Sequence, residues 1–235
     1  RRNADEIERE RSVILQEISQ AEDTPDDYIH DLFSLDFFKD HPLARPICGS
    51  AETVNSFRRQ DFLNFFKSRY GPRRVVVAAA GHLRHQELVQ VFNERLGSVG
   101  DSAHGSRSDS EDGTGAPEMQ SGIFQHTKSL EQAHLCLGVS GIHQTHPLRY
   151  AAYVLNTLLG GGMSSRLFQE IREKRGKAYS VYSFSSSYKD VGYVGVYAGT
   201  SVESVEEVVE LILKELKQLA AGHVKDEEIR RTQGQ

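Results

Sequence analysis

The sequence predicts an α+β protein made of two partial, homologous domains, each a sheet with helices packed on one face. Three observations carry this reading. Strand-like apolar runs alternate with amphipathic helical stretches in both halves, the second half contains a hairpin pattern, and a stretch with almost nothing to bury separates the halves. That stretch is "GDSAHGSRSDSEDGTGAPEMQSG", rich in Gly, Ser and Asp. It reads as a flexible linker over 101–121, between a domain at 1–100 and a second at 122–235. Each half ends in a similar strand-then-helix unit, which suggests duplication.

The elements follow in order. Residues 5–21 form a helix with Ile7, Ile14, Leu15 and Ile18 at helical spacing on one face. In "TPDDYIHDLFSLDFF", Thr24 can cap, Pro25 suits the first turn, and Asp26 and Asp27 favour the positive end of a helix reaching Phe38. "KDHPLARPICGSAETV" reads as loop, punctuated by Pro42, Pro46 and Gly49. "SFRRQDFLNFFKSRY" reads as a helix with Phe62, Phe65 and Phe66 facing inward, "RRVVVAAAG" as a short buried strand, and "HQELVQVFNERLG" as a helix ending at Gly97. Beyond the linker, "GIFQHT" and "QAHLCLGVSG" read as strands, the second with Leu135, Leu137 and Val139 on one face. "PLRYAAYVLNTLLGGG" is a buried helix, and "MSSRLFQEIREKRG" another, capped by Ser164 or Ser165 and stopped at Gly176. "AYSVYSFSSSYKDVGYVGVYAG" is a hairpin turning near Lys189–Asp190, with Val194, Val196 and Ala198 alternating with Gly195 and Tyr197. "SVESVEEVVELILKELKQLAAG" is a long amphipathic helix opened by a serine cap.

Composition narrows the function classes. The 235 residues are 38% apolar and 26% charged, with a net charge of −5, so no basic stripe invites nucleic acid. No apolar run reaches the roughly 18 residues that would cross a bilayer, and no signal peptide opens the sequence. Cys48 and Cys136 are the only cysteines, which argues against a disulfide framework. The start "RRNADEIERE" and the end "VKDEEIRRTQGQ" both read as cuts through helices. A cytoplasmic setting fits, although a preceding segment could carry a targeting signal.

Two glutamates raise the chemical question. Glu10 and Glu17 are seven apart, so on a helix they differ by about 20° and stack on one side roughly 10 Å apart. One reading makes them solvated residues at the edge of an apolar stripe, their charge softened by Arg9 and Arg11. The other makes a partly buried carboxylate on a rigid helix a metal ligand, with its neighbour supporting it.

A second passage decides between them. "LGGGMSSRLFQEIREKRGKAYSVYS", residues 159–183, resembles the C-domain signature of the pitrilysin/insulinase family of zinc peptidases (M16), and most of all its bacterial processing-protease-like and mitochondrial processing peptidase catalytic-subunit branch. "IERERSVILQEI" resembles the segment carrying that family's third zinc ligand, "HPLARPICGSAETV" its following loop, with Ala44 where glycine is usual, and "YGPRRVVVAAAGHLRHQEL" the close of its first domain. The resemblance implies that Glu17 is a zinc ligand and that Glu10 supports the site without being a primary ligand. It also implies that Arg172 and Tyr179 reach across to hold and polarise the substrate peptide. Both donate hydrogen bonds, which suits a carbonyl gaining charge. Read without the resemblance, Arg172 is a cation in a helix's last turn and Tyr179 a strand aromatic.

The family's chemistry also needs H-x-x-E-H, whose histidines bind zinc and whose glutamate takes a proton from the bound water. The sequence contains no such motif. One carboxylate cannot hold zinc in a site that wants three protein ligands, so the expectation is a catalytically inactive piece of a zinc endopeptidase. The pairs His82/His85 and His143/His146 read as structural or solvated, and glycines 160–162 as a flexible turn, since the Lys-Ser/Thr of a phosphate loop is missing. The expected partners are a peptide substrate and a second family chain completing a homo- or heterodimer. The rival expectation is a non-catalytic family subunit that binds peptide or assembles a complex.

Overall fold

The computed structural model describes residues 4–70, 75–96 and 115–233. The chain divides into two compact units, Arg1–Ile18 with Cys48–Thr114 and Ser19–Ile47 with Gly115–Gln235. Helix α1 (Ala4–Asp23) begins in the first and ends in the second, where α2 (Pro25–Phe37) follows it.

The regular elements among the first unit's described residues are all helices. After α1 it holds α3 (Ala51–Ser56), α4 (Arg59–Arg69) and α5 (His85–Leu96). Helix α3 lies where the sequence read as loop. Its signal is Ser50-x-x-Thr53: the Ser50 hydroxyl accepts from Thr53 N–H at 3.2 Å while Ser50 N–H donates to the Thr53 hydroxyl at 2.9 Å. Two expectations are corrected. Residues 75–80 of "RRVVVAAAG" form no strand, and Val76 is 94% exposed; residues 73–74 lie outside the described residues. Phe62, Phe65 and Phe66 are exposed, Phe65 by 60%, instead of facing inward. Both have one cause. A strand needs a hydrogen-bonding partner, and no described residue of this unit is in a strand, so neither the valines nor the phenylalanines of α4 have a sheet to pack on.

The second unit contains the sheet. Strands β1 (Ala133–Ser140), β2 (Ser180–Ser187) and β3 (Gly192–Thr200) run antiparallel in the order β1–β3–β2. The β2–β3 hairpin turns at Lys189–Asp190 as expected, with Ser187 opposite Gly192 and Tyr188 N–H donating to Val191 O at 2.7 Å. "GIFQHT" is not a strand, and Ile123 is fully exposed. Its neighbourhood is bound to α2 instead: Gln120 N–H donates to Phe37 O at 2.9 Å, and His126 Nε2 lies 2.7 Å from Asp36 Oδ2.

Helices cover both faces of this sheet, where one covered face was expected. On one face Val181, Val196 and Ala198 form a core with Leu159 of α6 (Arg149–Gly160), with Leu167 and Ile171, and with Val208 and Ile212 of α7 (Val205–Ala220). On the other, Tyr182, Phe184, Tyr193 and Tyr197 pack with His30, Phe33 and Phe37 of α2. Glycine makes this second layer possible. Gly138 and Gly195 are paired across β1 and β3, and a Cβ on either would lie 2.3 Å from a ring atom of Phe33 or Phe184. Helix α8 (Asp226–Gln233) completes the described chain.

The aromatic layer holds two histidines. His30 Nε2 is 2.9 Å from the Tyr182 hydroxyl, and His134 Nδ1 is 2.9 Å from that of Tyr197. Burial lowers the pKa of both below 6.5, against the upward pull of Asp26, Asp27 and Asp31 on His30 and of Asp26 on His134. The unfolded chain therefore takes up protons first, near pH 6.5, so stability is lost as pH falls from there through the lower folded-state values. We expect the thermal midpoint, followed by circular dichroism from about pH 7.5 to 5, to fall, and His30→Phe to flatten the dependence. Equal slopes in the two proteins would show that His30 does not carry it.

Candidate functional site

Glu10 and Glu17 both lie exposed on α1, on the side the helical repeat predicts, while Ile18 is buried and Ile7 and Ile14 are half-buried. The partial burial expected of a ligand carboxylate does not occur, because no described element of this unit covers that side of the helix. The hydrogen bonds of the two arginines go to other groups. Arg11 donates to Phe57 O at 2.8 Å and to Val54 O and pairs with Glu8 at 3.1 Å, while Arg9 donates to Asp5 O at 3.3 Å. Arg11 thereby clamps α1 to the end of α3. Two carboxylates thus project from a helix whose position in its unit is fixed.

Arg172 and Tyr179 belong to the second unit. The segment read as one α-helix is a π-helix over Phe168–Glu173, with Lys174 N–H reaching back five residues to Gln169 O at 3.0 Å. Helical periodicity cannot reveal such a turn, since the apolar face survives it: Leu167 and Ile171 are both fully buried. Ser165 does not cap it, its buried hydroxyl having no hydrogen-bond partner. Gly176, at φ +61°, stops it as expected. Arg172 projects outward with its guanidinium carbon 5.0 Å from the Phe168 ring centroid. Tyr179 stands just before β2, its side chain 66% exposed while its N–H donates to Gly199 O at 2.9 Å.

Between them the chain is pinned. Gly176 N–H donates to Arg172 O at 2.9 Å, Lys177 N–H to Ile171 O at 3.0 Å, and Ala178 is buried in the core. Two exposed hydrogen-bond donors are thus mounted on a fixed bracket, which suits them to gripping a carbonyl. Of the neighbouring glycines, Gly161 and Gly162 lie in the turn after α6, where a turn was expected, while Gly160 ends the helix itself. A Cβ on Gly160 would lie 2.2 Å from the Ser183 backbone nitrogen, so this residue is where α6 meets β2.

The histidine pairs offer no alternative centre. His143 Nδ1 is 3.1 Å from the Thr145 hydroxyl and His146 Nδ1 accepts from Leu148 N–H at 3.1 Å, whereas His82 and His85 are exposed. Among the described residues no three His, Cys, Asp or Glu side chains gather as a metal centre. Among the described residues Glu17, an exposed carboxylate with no second ligand gathered beside it, does not fit zinc by itself. No helix among the described residues is long and apolar enough to cross a membrane. Sequence reasoning gave no role to Arg166, whose guanidinium joins Glu215 and Glu228; its place between two serines and a buried leucine was the available signal.

Comparison with known proteins places this arrangement. The family described as the peptidase M16 inactive domain matches residues 56–235. An uncharacterized zinc protease of Streptomyces coelicolor is 41% identical over 234 residues, 98% of this chain and 51% of the relative. One of Rickettsia bellii is 39% identical over 98% of this chain and 54% of its own length. The chain thus spans about half the length of these relatives. Among solved structures, a protease from Helicobacter pylori matches 99% of this chain and 57% of its own at TM-score 0.82, and a peptidase M16 inactive domain from Pseudomonas fluorescens matches 98% and 55% at 0.78. Both are 20% identical, and they share its fold. With the family match covering most of the chain and a relative of 41% identity along nearly all of it, this chain belongs to the peptidase M16 family.

Proposed function

We propose that this chain is the section of a zinc endopeptidase that contributes one metal ligand, Glu17, and the substrate-contacting pair Arg172 and Tyr179, and that it does not hydrolyse peptides alone. The observation that carries the reading is the bracket: two outward-facing donors held by main-chain hydrogen bonds beside β2, an edge of the sheet. An extended polypeptide could add to such an edge through backbone pairing, which tolerates many sequences, while the guanidinium and phenol hold the carbonyl to be attacked. The zinc protease names of the relatives support the reaction class. The two histidines and the general base would come from an H-x-x-E-H segment outside this chain, with Glu10 supporting Glu17. The finer expectations, a processing-peptidase-like enzyme closed by a second family chain, belong to this same proposal.

Tyr179→Phe in the full-length protein tests it. Losing one donor to the developing oxyanion should lower kcat by about a hundredfold on an unstructured polypeptide while zinc content stays at the wild-type level. Unchanged kinetics would return Tyr179 to a structural role.

A further inference from the structure

Thr200, the last residue of β3, is fully buried. It lies in the row of Val196 and Ala198, which alternate along the strand toward the apolar core. Valine would fill that place with the same shape, so packing does not call for a hydroxyl. A buried hydroxyl is costly unless it is hydrogen-bonded. This one donates to Lys177 O at 2.5 Å. Lys177 is the middle of the bracket: its N–H is held by Ile171 O of the π-helix and its carbonyl by Thr200, so the peptide groups on both sides of it are fixed. Its side chain is tethered as well, Nζ lying 2.8 Å from Glu207 of α7.

We propose that Thr200 is a positioning residue for Arg172 and Tyr179: by holding Lys177 O, its hydroxyl fixes the separation and direction in which the guanidinium and the phenol are offered to substrate. The proposal rests on the reading of that pair as substrate contacts. Thr200 touches no substrate; it acts through the span from Arg172 to Tyr179. Without its hydrogen bond the Lys177 carbonyl loses its partner and the bracket loosens at that peptide, while the Lys177 N–H bond to Ile171 O, the sheet and the core remain.

The test is a double-mutant cycle in the full-length protein, with kcat, KM and zinc content measured on an unstructured polypeptide. Thr200→Val should lower kcat by about tenfold with zinc unchanged, since small misplacements of a gripping group are costly in rate. Thr200→Ser, which keeps the donor, should stay within about twofold of wild type by the same reasoning. In the Tyr179→Phe background Thr200→Val should cost clearly less than its tenfold, because one of the two groups it positions is already gone and only Arg172 remains. A full tenfold loss in that background would mark general destabilisation and overturn the proposal, as would wild-type kinetics for Thr200→Val. Should valine not be accommodated, Thr200→Ala in the same cycle reads the same coupling. Silence of Tyr179→Phe alone would instead overturn the reading of the pair, and the positioning role with it.

Discussion

Glu17→Gln in the full-length protein is expected to remove zinc and peptide hydrolysis together. Glutamine keeps the shape of the side chain and its place on α1 but gives up the anion that a zinc site with two neutral histidines requires. Because Glu17 is exposed on a helix fixed by Arg11, its replacement should leave the stability of the unit within about 0.5 kcal/mol. Metal affinity should fall by more than about a hundredfold, the upper range for losing a mere supporting group. Glu10→Gln, the supporting position, should cost about ten- to a hundredfold and keep residual activity. Metal analysis of dialysed protein beside a peptidase assay reads all three. One zinc per chain in Glu17→Gln would reduce both glutamates to the edge of an amphipathic helix. A wild-type protein that holds no zinc and cuts no peptide would favour the non-catalytic subunit.

Much of the second unit was legible because its signals are local. Period-two alternation located β1 and the β2–β3 hairpin, an apolar run ended by glycines located α6, amphipathic spacing located α7, and Gly176 marked a helix end. What failed depended on partners that lie far along the chain. The valines at 75–77 carry a good strand pattern, but a pattern is not a hydrogen-bonding partner. The aromatic layer of α2 on the sheet was invisible because Phe33 and Gly138 lie over a hundred residues apart and the glycine that admits the ring reads locally as a weakness in a strand. For the site, the spacings Glu10–Glu17 and Arg172–Tyr179 are in the sequence, while the π-turn and the Thr200 bond that shape the second pair arise only from packing. Arg166 shows the same limit: it reads as one more basic residue near a helix start.

That arginine carries the largest expected effect on stability. Its Nε and Nη2 grip both carboxylate oxygens of Glu228 at 2.9 and 2.8 Å, Nη1 lies 3.8 Å from Glu215, and Nη2 also donates to His223 O at 2.5 Å. The Arg166 and Glu215 side chains are only 11% and 9% exposed. Glu215 occupies the buried stripe of α7 with Val208 and Ile212, where burial pushes its pKa up against the pull of Arg166; hydrogen bonds from Arg166 hold Glu228 below its usual value. Arg166→Met would leave two carboxylates in one place without the guanidinium that joins them. Breaking a buried pair from one side costs about 3–5 kcal/mol, which for a protein of this size corresponds to a fall of roughly 10 °C in thermal midpoint. The deficit should shrink as pH falls, since a Glu215 with a raised pKa takes a proton sooner than a free carboxylate and sheds its charge. The double variant Arg166→Met/Glu215→Leu should recover part of the loss, because it removes the more buried carboxylate while Glu228, still without its guanidinium, keeps the rest. A deficit below about 1 kcal/mol in the single variant, or no recovery in the double, would show that the charges are solvated and that α7 and α8 are held by their apolar contacts alone.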